Sequence, residues 1–154
     1  MKQVFGDIFS TLGRADALCV TTNGVIKRNG ELVMGAGIAL QAKQRFPGIA
    51  IEAAKGVGKG HDSHVRPIHL FKPDEDSLHP TMIVALPTKL HFKDSSPLDL
   101  VIRSLKELVS LTDIMQWKAV VLTQPGCGHG GLKWNYMEAL CSKILDNRFY
   151  VYVR

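Results

Sequence analysis

The sequence predicts an α/β fold, with a sheet of about six strands covered by helices on both faces. Three observations predict it. Short apolar β-rich runs alternate with helical patterns along the chain. Those runs are apolar throughout, as in strands buried on both faces. Two glycine-rich loops each follow such a run and lead into a helix, which is how α/β sheets present ligand sites. The 154 residues suit one ordinary domain, and 45% hydrophobic content suffices for a core. With 21% charged residues, wholesale disorder is not expected.

The elements follow in order. Gln3 to Phe9 reads as a first strand and Ala17 to Thr22 (ALCVTT) as a buried one. Gly37 to Phe46 reads as a helix with Ile38, Ala39, Ala42 and Phe46 on one face, ended by Pro47. A short helix over Ala50 to Lys55 stops at glycines 56, 58 and 60. Pro67 to Lys72 and Thr81 to Leu86 read as strands joined by an acidic turn, Pro73 to Pro80. Ser96 is the expected N-cap of a helix with Pro97 at its first position. Leu98, Val101, Ile102, Leu105, Leu108 and Val109 follow at helical spacing. Ala119 to Thr123 is another strand, Trp134 to Leu145 a helix, and Phe149 to Val153 a last strand.

Composition narrows the function. A formal net charge of +5 suits a polyanionic ligand, though a basic surface is also compatible with solubility alone. Three cysteines without CxxC pairs argue against a disulfide framework and a structural zinc. His61 and His64 lie in a polar loop without further clustered ligands, so no metal is expected there. No cofactor is expected either. The segment MKQVFGDIF lacks the apolar core of a signal peptide, and no run approaches the roughly 20 apolar residues of a membrane span. The cytoplasm is the expected compartment, and a monomer the expected state.

The first loop begins at Asn23 and Gly24 and continues through Met34-Gly35-Ala36-Gly37-Ile38. Gly35 and Gly37 would let the backbone adopt positive φ and approach a ligand. The helix starting there presents free N–H groups and its positive dipole end. A tight turn would need small residues too, so this loop alone is weak evidence. The second loop, Pro125-Gly126-Cys127-Gly128-His129-Gly130-Gly131, holds four glycines in six residues. Such a run is costly in chain entropy, and a plain turn needs one or two glycines. Two such loops suggest one diphosphate held between them. Neither contains the GK[ST] of a nucleotide-triphosphate site.

GDIF at Gly6 to Phe9, MGAGIALQ at Met34 to Gln41, RFP at Arg45 to Pro47, PTK at Pro87 to Lys89 and PGCGHGGLKW at Pro125 to Trp134 together resemble the macrodomain family. More narrowly they are similar to the branch containing the glutamate-linked ADP-ribose glycohydrolase and the DNA ADP-ribosyl glycohydrolase antitoxins. The resemblance runs from about residue 4 to the C-terminus and implies a three-layer α/β/α sandwich with a mixed sheet. It implies that Asp7, with Ile8, recognises adenine and that Asn23 faces the distal ribose. Gly35, Ala36, Gly37 and Ile38 would wrap the diphosphate and distal ribose with Pro125, Gly126, Cys127, Gly128, His129 and Gly130. Tyr152 would pack near the adenine. Lys89 matches the lysine on which catalysis depends in this branch. In the glutamate-specific relative an acidic residue stands where this chain has Gly130. The DNA-acting relatives carry a glycine pair there, as here, and an asparagine where this chain has His129. The 23-to-33 segment is longer and more basic than the family pattern.

Single residues keep plainer readings beside these. Lys89 ends an apolar strand, where partial desolvation could depress its pKa for nucleophilic or base chemistry; an arbitrary lysine there is a surface group. His129 could donate a proton or merely hydrogen-bond. Cys127, near a helix start, could have a lowered thiol pKa or simply be small enough to pack under the loop. Trp134 is expected in the core. Lys27 and Arg28 read as a solvated tip that could touch nucleic acid phosphates. The expectation is an ADP-ribosyl hydrolase acting on an adduct, with ADP-ribosylated DNA as the favoured substrate. A module that binds ADP-ribose without turnover, or an ADP-ribose 1''-phosphate phosphatase, would use the same loops.

Overall fold

The computed structural model of the chain describes residues 1–75 and 78–154. Its strands are β1 (Lys2–Val4), β2 (Ala17–Thr22), β3 (Arg66–Phe71), β4 (Thr81–Pro87), β5 (Val120–Thr123) and β6 (Phe149–Tyr152). Its α-helices are α1 (Gly37–Arg45), α2 (Ile49–Ala54), α3 (Leu98–Met115) and α4 (Trp134–Ile144). They form one six-stranded sheet in the order β1-β6-β5-β2-β4-β3. Every neighbouring pair is parallel except β3 with β4, so the sheet is mixed.

Alternate residues of each central strand face opposite layers. Leu18 and Val20 of β2 pack with Ile38 and Ala42 of α1 and Ile49 and Ala53 of α2. Ala17 and Cys19 pack on the other side with Val101, Leu105 and Leu108 of α3 and Met137 and Cys141 of α4. Both faces of the strand are therefore buried, which explains the unbroken apolar run. The result is a three-layer α/β/α sandwich. Burial keeps the thiols of Cys19 and Cys141 above the ordinary cysteine range.

Three expectations need correction. The first strand was expected to reach Phe9 but stops at Val4. The Asp7 carboxylate accepts a hydrogen bond from the Phe9 amide (3.0 Å) and caps a 3-10 turn over Ile8–Thr11, which buries Ile8 and Phe9 without a strand. Ser96 does not cap α3. Pro97 holds that position without a side-chain bond, while the Ser96 amide donates to the Gly130 carbonyl at 2.9 Å. Trp134 is only half-buried; its Nε1 donates to Gln3 Oε1 (3.2 Å), tying α4 to the residues of β1. The acidic turn expected over 73–80 includes positions 76 and 77, which lie outside the described residues. Among the described residues no helix is long and apolar enough to cross a membrane.

Because the five strands β1, β2, β4, β5 and β6 run parallel, their carboxyl ends share one edge of the sheet. Register fixes this: Thr22 lies beside Pro87, and Tyr152 beside both Thr123 and Val4. The loops leaving those residues converge on a single place.

Candidate functional site

That place is a cleft of about 770 Å³, within the range of small-molecule sites. It is lined by the segment after β1 (Gly6, Asp7, Ile8), the start of α1 and the loop before it, the end of β4, and the loop after β5. Nearly every residue expected at the site lines it: Asp7, Ile8, Asn23, Gly35, Ala36, Gly37, Ile38, Lys89, Gly126, Cys127, Gly128, His129, Gly130 and Tyr152. Pro125 does not. It is buried, and its carbonyl faces the Cys127 thiol (3.7 Å).

At one end stands Asp7, with Tyr152 near it. Burial, reinforced by the Asp7 charge, raises the Tyr152 phenol above its ordinary range. One Asp7 oxygen caps the turn, leaving the other free to face a ligand. On the floor, α1 starts without a side-chain cap: Ala36 is extended and contributes no oxygen to the first amides. Those N–H groups are thus available to an anion. Gly37 has φ +56, whereas Gly35 is not left-handed, so positive φ is needed at only one of the two. Asn23 lines the cleft but also braces it. Its Oδ1 accepts from the Val25 amide (3.0 Å) and its Nδ2 donates to the Val33 carbonyl (2.9 Å). Its remaining N–H is available to a ligand. The segment after it folds back through a bridge between Ile26 and Leu32, leaving Lys27 and Arg28 exposed at the tip.

Lys89 stands opposite the Asp7 end. Its backbone is pinned to β2, the amides of Thr88 and Lys89 donating to the Thr22 carbonyl at 3.0 and 3.3 Å. The Ser104 hydroxyl holds the Pro87 carbonyl at 2.6 Å. The ammonium donates to the carbonyls of His129 (3.1 Å) and Phe92 (3.4 Å). An ammonium has three protons, so one remains for a ligand. It is the His129 carbonyl, not its imidazole, that meets Lys89, and the His129 side chain is exposed.

The second loop contains a 3-10 turn, Gly128–Gly130, ahead of α4. A Cβ on Gly130 would run into the Ser96 hydroxyl, so the loop has no room for a side chain there unless Ser96 moves. Burial raises the Cys127 thiol, which favours the plainer reading of Cys127 as a small residue packed under the loop. His64 pairs with Glu107 (2.7 Å) outside the cleft and His61 Nδ1 lies 3.0 Å from the Gly24 carbonyl. No cluster of three or more His, Cys, Asp or Glu among the described residues is placed to hold a metal.

Sequence reasoning did not place Phe92, Lys93, Ser96 or Arg154 at the cleft, which all four line. Phe92, Lys93 and Ser96 follow PTK within one loop, and Arg154 follows β6. The convergence of parallel strand ends was the signal that could have found them.

No protein-family model matches the chain. It is 34% identical over 115 residues to a DNA ADP-ribosyl glycohydrolase of Thermus aquaticus, covering 74% of this chain and 31% of that protein. The chain spans about a third of the length of the curated relatives it matches. Its fold is similar to the macrodomain of Thermus aquaticus DarG, with TM-score 0.71, 27% identity, and 99% and 95% of the two chains covered. It is similar also to Thermosipho africanus DarTG in complex with ADP-ribose, with TM-score 0.75, 28% identity, and 99% and 41% covered.

Proposed function

Given that the chain has the macrodomain fold, we propose that it binds ADP-ribose in this cleft and hydrolyses ADP-ribosyl groups from DNA bases. The observation that carries the reading is the setting of Lys89: a lysine pinned at a strand end, with one donor left for the ligand. The similarity to DNA ADP-ribosyl glycohydrolases and to a macrodomain solved with ADP-ribose supports it.

In this reading adenine lies between Asp7 and Tyr152. The uncapped start of α1 and the glycine loop at 126–130 hold the diphosphate from two sides. The distal ribose then reaches Asn23 and Lys89. The bond broken joins the ribose anomeric carbon to the base. Water adds hydroxyl to that carbon, and the departing base gains a proton. Lys89 promotes this step as the group that delivers the proton or stabilises the charge on the leaving base. Gly130 supports a DNA acceptor over a glutamate ester, because the Ser96 hydroxyl occupies the space an acidic side chain would need.

ADP-ribose should bind with roughly micromolar affinity, since two amide-rich loops serve one diphosphate. Calorimetry should show AMP and ribose-5-phosphate binding far more weakly; equal or absent binding of all three overturns the reading. Turnover is tested with ADP-ribosylated DNA, an ADP-ribosylated glutamate peptide and ADP-ribose 1''-phosphate, product being expected from the first. Tight ADP-ribose binding without any product would make the protein a reader of the modification.

Asp7→Asn keeps the cap on Phe9 yet replaces the free acceptor. It should weaken ADP-ribose by about 1.5–3 kcal/mol, the scale of a charge-assisted hydrogen bond. It should also lose discrimination against the hypoxanthine analogue. A variant that keeps full preference for adenine would show that another group reads the base.

A further inference from the structure

If Lys89 acts at the anomeric carbon, the acceptor base lies on the far side of it from the diphosphate. The loop running on from Lys89 is unlike the rest of the rim. Phe92 lines the cleft and is 40% exposed. Its ring is stacked on His91, with centroids 4.5 Å apart and planes 25° from parallel. His91 in turn meets the edge of His61 at 5.9 Å.

This shelf is fastened from three segments. Gly24 donates its amide to the Leu90 carbonyl (3.0 Å), and its own carbonyl faces His61 Nδ1 (3.0 Å). His91 Nδ1 accepts from the Lys93 amide at 3.2 Å. A Cβ on Gly24 would overlap the His61 carbonyl, so the approach of these segments depends on that glycine. The Lys93 ammonium lies 5.9 Å from the Phe92 ring centroid and lines the cleft as well. Phe92 thus accepts from the Lys89 ammonium through its carbonyl and is itself part of the cleft wall. A fixed aromatic ring beside a cation is the pattern by which proteins hold an unstacked base and its phosphate.

We propose that His91, Phe92 and Lys93 form the acceptor subsite. Phe92 stacks on the nucleobase bearing the ADP-ribosyl group, and Lys93 pairs with a phosphate of the same strand. The base must then be out of a duplex, so the substrate is single-stranded DNA or an extruded nucleotide. The inference rests on the DNA reading above.

The test compares wild type, Phe92→Ala, Phe92→Trp and Lys93→Gln on an ADP-ribosylated single-stranded oligonucleotide and on the ADP-ribosylated nucleoside, with ADP-ribose affinity measured in parallel. Phe92→Ala should raise KM for both substrates about tenfold or more while ADP-ribose affinity moves less than about threefold, and Phe92→Trp should restore KM. Lys93→Gln should raise KM for the oligonucleotide only and flatten its dependence on salt. An unchanged KM in Phe92→Ala overturns the subsite. So does a fall in kcat at constant KM, which is what displacement of Lys89 would give. Wild-type protein that cleaves the glutamate peptide but not the oligonucleotide overturns the DNA reading and the subsite together; the first two results overturn the subsite alone.

Discussion

Lys89→Ala is expected to slow release of ADP-ribose from modified DNA by at least about a hundredfold, the scale on which acid–base and charge-stabilising groups act. ADP-ribose affinity should change far less. The diphosphate is assigned to the amides of two loops, and the Lys89 ammonium is already spent twice on carbonyls of its own chain. The backbone at 89 is held through Thr22, independently of the side chain, so the variant should fold and keep the cleft. Lys89→Arg separates the two roles: it should fail as well where Lys89 delivers the proton, because a guanidinium does not release its own, and should keep part of the rate where only its charge is used. His129→Ala is the companion measurement. His129 is exposed and lines the cleft, so a large loss of turnover would assign its imidazole a proton transfer that its carbonyl cannot perform. Equal turnover by wild type and Lys89→Ala would remove Lys89 from the chemistry.

Gly128→Val should abolish ADP-ribose binding, with a loss of at least about a hundredfold, and leave the protein folded. Gly128 has φ +69, a left-handed conformation that a β-branched residue resists. A Cβ there would meet no atom within 4 Å beyond its own chain neighbours, and Gly128 lines the cleft. The added Cβ therefore finds space in the free protein, and the backbone strain of about 1–2 kcal/mol is small beside the stability of an ordinary domain. What it would obstruct is the volume that the proposed reading gives to phosphate. Circular dichroism would verify the fold and calorimetry the lost affinity. A folded Gly128→Val protein that binds as tightly as wild type would reduce the second loop to a simple turn.

Much of this architecture was legible in the sequence because strands buried on both faces are unbroken apolar runs and amphipathic helices have their own period. β2, for example, is where ALCVTT places it, and α1 begins at the expected Gly37. What misled was local polar chemistry. Asp7 looked like part of a strand because the residues around it are apolar, yet its carboxylate turns the chain. Ser96 before Pro97 has the composition of a helix cap, but its amide is taken by Gly130 and its buried hydroxyl packs against that glycine. The cleft itself was legible wherever it is made of glycine and strand ends. Phe92 and Lys93 were not, because an aromatic and a lysine in a polar loop carry no pattern until the fold sets them beside Lys89.

The pairing of β1 with β6 has a kinetic side. Lys2 lies opposite Tyr150, Gln3 opposite Val151 and Val4 opposite Tyr152, so these contacts join segments almost the whole chain apart. Closing so long a loop costs more entropy than joining β2 to β4 or folding any one helix, and gains only a three-residue edge strand. The wall that brings Asp7 to Tyr152 is therefore expected among the late events of folding, after the sheet centre and both glycine loops have formed. On the proposed reading, a partly refolded chain would hold a diphosphate before it could choose its base, and selectivity for adenine would report the docking of β1 on β6.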